Sequence, residues 1–291
     1  MTKNLIYIFL FFLIVSCGRK KIENNTPVIT VSIAPYKYFI DKIAGNDFRV
    51  NIMVPPGSDP HSYEPLPEQI SDLRNSMAYV SNGFLGFEMT WLDRFYEVNN
   101  TMQNLSLGEY IEPLGEEHHH ERGHSESADP HYWVSPVCAK IMAARIKDFL
   151  IELNPSGEKL YESNYEILDS IIGSVENRAS ELFSDYRNSV FMIYHPNLGY
   201  LARDYGLEEI AVEYEGKEPP PSRMKYLIDR ARKENIKIIF VQKEYDKKNA
   251  ISIADEIGAE LKVIDPLSED WESTTLEIIT SVYMSFTLSR K

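Results

Sequence analysis

Short apolar, β-branched runs alternate along this chain with longer polar or amphipathic stretches. In the first half the runs are VITVSI at 28–33, VNIMV at 50–54 and MAYVS at 77–81. In the second half they are SVFMIYH at 189–195, EIAVE at 209–213, IKIIFVQ at 236–242 and LKVID at 261–265. Runs of this kind predict buried strands, and strands separated by helical stretches predict parallel sheets. We therefore expect an α/β fold with two lobes, each a mostly parallel sheet flanked by helices.

A long amphipathic stretch separates the two halves. Asn154 and Pro155 are residue types favoured at a helix N-cap and at the first helical position. Apolar residues then recur at spacings of three or four, at Leu168, Ile172, Val175, Ala179 and Leu182. A helix from about 155 to 186 would be roughly 45 Å long and could join both lobes. We divide the folded body into an N-terminal lobe, a linking helix and a C-terminal lobe, at 28–153, 154–187 and 188–291.

The N-terminal stretch MTKNLIYIFLFFLIVSC predicts export from the cytoplasm. Lys3 supplies a positive start, and the apolar run at 5–15 is too short to cross a hydrocarbon core of roughly 30 Å comfortably. The run ends in IVSC, which resembles a bacterial lipobox whose cysteine, here Cys17, carries the lipid. An ordinary signal peptide with an incidental cysteine is the alternative. We expect residues 1–16 to be a lipoprotein signal peptide, 17–27 a lipid-anchored tether, and the body to lie on the periplasmic or extracytoplasmic face of a bacterial membrane.

Composition and charge exclude some partners. The 291 residues are 43% hydrophobic, which is enough for one large core or two smaller ones. A net charge of −14 repels the phosphate backbone, so we expect no nucleic-acid partner. If Cys17 is lipidated, Cys138 has no partner, and the mature chain forms no disulfide. We expect a monomer.

Four polar side chains stand where a parallel sheet would bind a ligand. His61 follows the run at 50–54 through a turn, His195 and Asp265 end their own runs, and His131 in DPHYWVSP precedes a helix start. Three imidazoles and one carboxylate suit zinc. A lone histidine after a strand is more often a hydrogen-bonded structural residue than a ligand, and the chain has no short-range pair such as HExxH or CxxC that would favour a ligand.

Longer motifs around these residues resemble a known family. MVPPGSDPHSYEP, DPHYWVSP, YHPNLGYLARDYGL and VIDPL are similar to four segments of the metal-binding solute receptors of bacterial ABC transporters, the zinc and manganese class. SNGFLGFEMTWL is also similar to the segment between the first two ligand motifs. The resemblance covers nearly the whole mature chain. It implies two α/β lobes joined by one long rigid helix, with His61, His131 and His195 binding metal in the cleft between lobes. The fourth ligand would be a carboxylate, for which we choose Asp265, or a water.

A histidine-rich segment lies between the first two ligand motifs. Glutamate and serine residues surround its histidines, so that 116–127 cannot bury itself and should be a solvated loop. Its histidines are His118, His119, His120 and His124. Zinc-specific members of the family often carry such an insertion, which is thought to capture metal or report its abundance. The alternative is a hydrophilic loop with accidental histidines.

The resemblance implies a binding protein and not an enzyme. Its function would be high-affinity binding of a divalent metal and delivery to an ABC transporter permease. Zinc is favoured over manganese, since manganese receptors commonly have a carboxylate where this chain has His195. A manganese receptor of the same family remains an alternative.

Two alternatives belong to other classes of protein. A zinc-dependent hydrolase would need a general base, for which Glu64 and Glu213 are candidates. A surface adhesin would need an exposed patch drawn from the 18 tyrosines.

Asp59 and Glu64 lie close to His61 along the chain and could accept a hydrogen bond from its ring.

Overall fold

Two four-stranded parallel sheets form the framework of the protein. The computed structural model describes residues 26–114, 128–213, 219–245 and 247–290. The first sheet contains β1 (Val28–Val31), β2 (Arg49–Ile52), β3 (Ser76–Ser81) and β4 (Gln103–Ser106), and the second contains β5 (Val190–Ile193), β6 (Glu208–Ala211), β7 (Ile238–Gln242) and β8 (Glu260–Ile264). Their strand orders are β2-β1-β3-β4 and β6-β5-β7-β8. The expected fold of two parallel α/β lobes is therefore confirmed.

Helices follow most of the strands and cover the faces of the sheets. In the first lobe they are α1 (Ala34–Ala44), α2 (Pro67–Asp72), α3 (Gly86–Val98) and α4 (Pro136–Leu153). The linking helix is α5 (Glu158–Phe183). In the second lobe they are α6 (Gly199–Tyr205), α7 (Pro221–Lys233), α8 (Lys248–Ile257) and α9 (Trp271–Ser289). The parallel arrangement places the carboxyl ends of the strands of each sheet at one edge, where the connecting loops meet.

The linking helix begins later than the sequence suggests. Residues 155–157 form a single 3₁₀ turn, and the α-helix starts at Glu158. Asn154 makes no capping bond with its side chain, and its amide instead donates to the Tyr161 hydroxyl at 2.8 Å. Asn154 thus stands at the N-cap position of the 3₁₀ turn with Pro155 first in that turn, as expected, but its side chain bonds to Tyr161 instead of capping the helix.

One apolar core passes through α5 into both lobes. The buried face of the helix carries Leu168, Ile172, Val175, Ala179 and Phe183. Phe183 packs against Tyr205 of α6 and Phe286 of α9, with ring centroids 5.5 and 6.2 Å apart. The stripe thus ends at Phe183, whereas Leu182 is only partly buried.

Two tryptophans join the lobes at a second place. The Trp133 indole donates to the carbonyl of Pro266 at 2.9 Å, and the Trp271 indole donates to the carbonyl of Trp133 at 2.7 Å. Both side chains are buried. Trp133 lies in the motif DPHYWVSP of the first lobe, and Trp271 begins α9 of the second lobe, so these bonds cross between the lobes.

Several sequence predictions fall on the N-terminal segment, which lies outside the described residues. They are the signal peptide at 1–16, most of the tether at 17–27 and the lipidation of Cys17. Within the described ranges no helix combines the length and the apolar character needed to cross a membrane. Cys138 is a free, buried cysteine on α4.

The end of the α5 stripe gives a stability prediction. Phe183→Ala should lower the free energy of unfolding by about 3–5 kcal/mol, since it opens a cavity among three elements. Leu182→Ala, the matched control one residue away, should cost less than about 2 kcal/mol because Leu182 is partly exposed. Urea unfolding followed by circular dichroism measures both. Equal losses would contradict the placement of the stripe.

Candidate metal centre

The three motif histidines come from loops at the carboxyl ends of strands. His61 lies in the loop after β2, His131 follows β4, and His195 lies two residues beyond β5. Two therefore belong to the first lobe and one to the second. The structure brings these three predicted residues together between the lobes.

Local bonds fix the backbone at each histidine. The amide N–H of His61 donates to Asp59 Oδ1 at 2.9 Å, and that of His131 donates to Asp129 Oδ1 at 2.8 Å. Gln242, buried at the end of β7, donates from its amide to the carbonyl of His195 at 2.5 Å. Each of the three loops is thus fixed by a hydrogen bond between its backbone and a polar side chain.

Gly86 is required where α3 approaches the first histidine loop. A Cβ atom built on Gly86 would lie 2.6 Å from the carbonyl oxygen of His61, which is closer than non-bonded atoms allow. The glycine lets the start of α3 pack directly on the loop that carries His61.

The imidazole nitrogens converge on a common point. Nε2 of His61 lies 3.0 Å from Nε2 of His131 and 3.1 Å from Nε2 of His195. Ligand atoms of all three residues lie within 4.8 Å of one another. Tetrahedral nitrogen ligands about 2.05 Å from one Zn²⁺ would be about 3.3 Å apart. The two distances from His61 are therefore close to those of a tetrahedral zinc site.

Two carboxylates orient the rings from outside. His131 Nδ1 lies 2.7 Å from Asp129 Oδ1, and His195 Nδ1 makes a short hydrogen bond with Glu213 Oε2. A proton on Nδ1 leaves Nε2 as the acceptor nitrogen that a metal needs. Asp59, named from the sequence as a partner of His61, contacts the backbone of that loop, and Glu64 is exposed.

Burial favours the neutral forms of His61 and His131. Burial, together with the neighbouring His131 and His195, lowers the pKa of His61 to about 3. Burial also lowers the pKa of His131, although the Asp129 carboxylate opposes this shift. Neutral imidazoles can bind a metal without first releasing a proton.

Six further residues line the cavity between the histidines. They are Pro60, Trp133, Asn197, Glu244, Tyr245 and Leu267. The Tyr245 ring stacks on His195 with centroids 4.6 Å apart, and its hydroxyl donates to Asp59 Oδ1 at 3.3 Å. Tyr245 therefore covers the site and links the lobes. Asn197, Glu244 and Tyr245 follow β5 and β7, so the strand-end rule that selected His195 could also have selected them.

Asp265 does not join the histidines. Among the described residues, the group with ligand atoms close enough to share an ion consists of the three histidines alone. The Asp265 carboxylate instead accepts a bond from Lys243 Nζ at 3.1 Å, and its side chain is 37% exposed. The Asp265 carboxylate, which we expected to bind metal, is thus hydrogen-bonded to Lys243 from the loop after β7. The loop residues His118, His119, His120 and His124 lie outside the described residues.

This architecture and this cluster define a class of protein: the bilobed metal-binding receptors among the solute-binding proteins. The model of the family described as "ZnuA: Zinc-uptake complex component A periplasmic" matches residues 29–284, and the chain belongs to that family. The resemblance inferred from the motifs is therefore confirmed.

Relatives of known name are similar along most of this chain. The zinc-binding lipoprotein AdcA of Streptococcus pneumoniae is 26% identical over 273 residues, which are 90% of this chain and 54% of that protein. The chain thus spans about half the length of AdcA. The high-affinity zinc uptake system protein ZnuA of Bacillus subtilis is 25% identical over 274 residues, 88% of this chain and 85% of that protein. A crystal structure of ZnuA is 35% identical, with a TM-score of 0.83 over 90% of this chain and 99% of that chain.

The lowered pKa of His61 predicts acid sensitivity of the metal-free protein. In the unfolded chain this imidazole takes up a proton near pH 6.5, but in the folded chain only near pH 3. Between these values the unfolded state binds more protons, so the free energy of unfolding should fall as the pH falls. His61→Gln should reduce that slope. Urea midpoints at pH 7.5 and 5.0 with a chelator measure it, and identical slopes in both proteins would contradict the assignment.

Proposed function

We propose that this protein binds Zn²⁺ between its lobes through His61, His131 and His195. The observation that carries the proposal is the convergence of the three histidines, with Nε2 of His61 3.0 and 3.1 Å from Nε2 of His131 and of His195. The ion is the cargo of the protein. Loading is favoured because the rings are oriented by Asp129 and Glu213 before the ion arrives.

Zinc is preferred to manganese by the chemistry of the cluster. Three imidazoles and no carboxylate stand in the group of ligand atoms that the described residues bring together. Nitrogen donors bind zinc more tightly than manganese, which favours oxygen-rich shells. The names of AdcA and of the Bacillus ZnuA, which refer to zinc, support the same choice.

The loaded protein would deliver zinc to an ABC transporter permease in the membrane. The family description, a periplasmic component of a zinc-uptake complex, supports a membrane partner and an extracytoplasmic location. AdcA is named a lipoprotein, which supports anchoring through Cys17 after removal of residues 1–16. We further propose that the chain works as a monomer, with lobes over 28–153 and 188–291.

A receptor is preferred to a hydrolase. Of the two candidate bases, Glu213 bonds to the outer nitrogen of His195, and Glu64 is exposed. Glu213 therefore orients a ligand from the side away from the metal. The adhesin alternative lacks its tyrosine patch within the described ranges, where only Tyr110 and Tyr226 are exposed tyrosines.

Metal competition tests the proposal. The purified full chain, stripped of metal and offered equimolar zinc and manganese, should retain one zinc. His195→Ala should weaken zinc binding by more than about 100-fold because it removes a ligand. Deletion of 116–127 should leave tight zinc binding in place. The amount of each bound metal is measured by inductively coupled plasma mass spectrometry. Retention of manganese, or loss of zinc only on deletion of the loop, would contradict the assignment.

The orienting carboxylates give a separate prediction. Glu213→Gln and Asp129→Asn should each weaken zinc binding about 10- to 100-fold, since the rings lose the acceptor that fixes their tautomer. Glu208→Gln is the matched control, because Glu208 is exposed on β6 and its carboxylate bonds to Arg230. Competition titration with a fluorescent zinc chelator measures the dissociation constants. If Glu208→Gln weakens zinc binding as much as Glu213→Gln and Asp129→Asn do, the loss comes from the change in net charge and not from the missing hydrogen bonds to the rings.

A further inference from the structure

Glu88 is a buried carboxylate in the first lobe. It stands in the first turn of α3 and is 1% exposed. Its Oε1 accepts the backbone N–H of Asn82 at 2.7 Å and a short bond from the Ser32 hydroxyl, and its Oε2 accepts the N–H of Gly83 at 2.6 Å. Burial raises the pKa of Glu88, and these three bonds oppose that rise. Three donors therefore converge on one side chain just beyond the end of β3.

One branch of hydrogen bonds leads from this carboxylate to the loop of His131. The side-chain amide of Asn82 donates to the carbonyl of Pro130 at 2.9 Å and to the Tyr36 hydroxyl at 2.7 Å. Tyr36 donates to the Tyr132 hydroxyl at 3.0 Å, and Tyr132 donates back to the carbonyl of Asn82 at 2.6 Å. Both neighbours of His131 in the chain are thus bonded to Asn82, whose N–H the carboxylate accepts.

A second branch leads through the start of α3 to the loop of His61. The same carboxylate holds the N–H of Gly83, in the turn that precedes α3. At the first position of the helix, Gly86 packs against the carbonyl oxygen of His61 so closely that no Cβ atom fits. The next residue, Phe87, packs against Tyr63 with ring centroids 6.2 Å apart. The start of α3 therefore supports the first histidine loop by its backbone and by an aromatic contact.

We propose that Glu88 is a positioning residue of the metal centre, which fixes His61 and His131 relative to each other through these two branches. Asp59 and Asp129 each bond to the backbone of the loop on which they stand. The two branches instead connect one loop to the other, although the histidines are 70 positions apart in the chain. This proposal rests on the proposed function, because the relative position of the rings matters only if they share one metal ion.

An isosteric substitution tests the role with almost no change of volume. The side chain in Glu88→Gln has one acceptor oxygen and one NH2 donor. Whichever way it turns, the NH2 group faces the backbone N–H of Asn82 or that of Gly83, so at least one of these bonds is lost. Zinc affinity of the full chain is measured by competition with chelators of graded strength. The visible spectrum of bound Co²⁺ reports the geometry of its ligands.

The control and two backgrounds separate positioning from general stability. Thr30→Val is the matched control, because the hydroxyls of Thr30 and Ser76 share a buried hydrogen bond of 2.7 Å in the same sheet, away from both histidine loops. Glu88→Gln and Thr30→Val are each made in the parent chain, in His131→Ala and in His195→Ala. Urea midpoints give the stability of every variant.

The expected result is a loss that depends on the pair of ligands in the first lobe. In the parent chain Glu88→Gln should bind zinc about tenfold more weakly and change the cobalt spectrum. The same fold-loss should appear in His195→Ala, where both first-lobe ligands remain. It should vanish in His131→Ala, where no such pair is left to position. Thr30→Val should lower the urea midpoint and leave zinc affinity and the cobalt spectrum unchanged.

A second variant applies if Glu88→Gln does not fold. Tyr132→Phe removes only the hydroxyl that donates to the carbonyl of Asn82 and accepts from Tyr36. It should weaken zinc binding less than Glu88→Gln would, with the same pattern: the loss should appear in His195→Ala and vanish in His131→Ala.

Two outcomes would overturn the inference while leaving the zinc site intact. Unchanged zinc affinity in Glu88→Gln, or in Tyr132→Phe where that variant replaces it, would show that the network does not act on the centre. An equal loss in His131→Ala, or in Thr30→Val, would show that the effect comes from a weakened fold and not from the pairing of two ligands. Failure of the proposed function is distinct, because the parent chain would then bind no zinc, or His195→Ala would bind it equally well.

Discussion

The apolar core that passes through α5 is the constraint on which the metal centre depends. His61 and His131 stand at the edge of one sheet and His195 at the edge of another, so their nitrogens can meet only if the two sheets keep one separation. The buried face of α5 sets that separation, because Phe183 packs against α6 and α9 while the preceding turns pack against α1 and α4. The close packing of this core therefore fixes the positions of His61 and His131 relative to His195, although they belong to different lobes.

The electrostatics of the centre depend on that same burial. Nε2 of His61 lies 3.0 and 3.1 Å from Nε2 of His131 and of His195, so protonated rings would repel one another, and burial disfavours the charged forms of His61 and His131. Asp129 and Glu213 supply negative charge at the outer nitrogens without occupying the centre. The space between the three histidines is thus faced by nitrogen lone pairs, which stabilise a small divalent cation.

Much of the fold can be predicted from the sequence, and the reasons for the misses are physical. The β-branched runs predict seven of the strands, but β4 escapes because it is an edge strand whose Gln103 and Asn104 are exposed. The three histidines can be placed from strand ends and motifs. Asp265 satisfies the same rule, yet nothing in the sequence shows that Lys243 from the neighbouring loop takes its carboxylate. The pairing of Glu213 with the ring of His195 depends on how β5 and β6 lie together, which spacing along the chain does not reveal.

The paired indole bonds have a mechanical consequence. Trp133 stands two residues from His131 and is joined to the second lobe both by its indole and by its carbonyl. A force that separates the lobes at these two indole hydrogen bonds would pull on the loop that carries His131. Separation of the lobes at these bonds would therefore also disturb the position of the His131 ring.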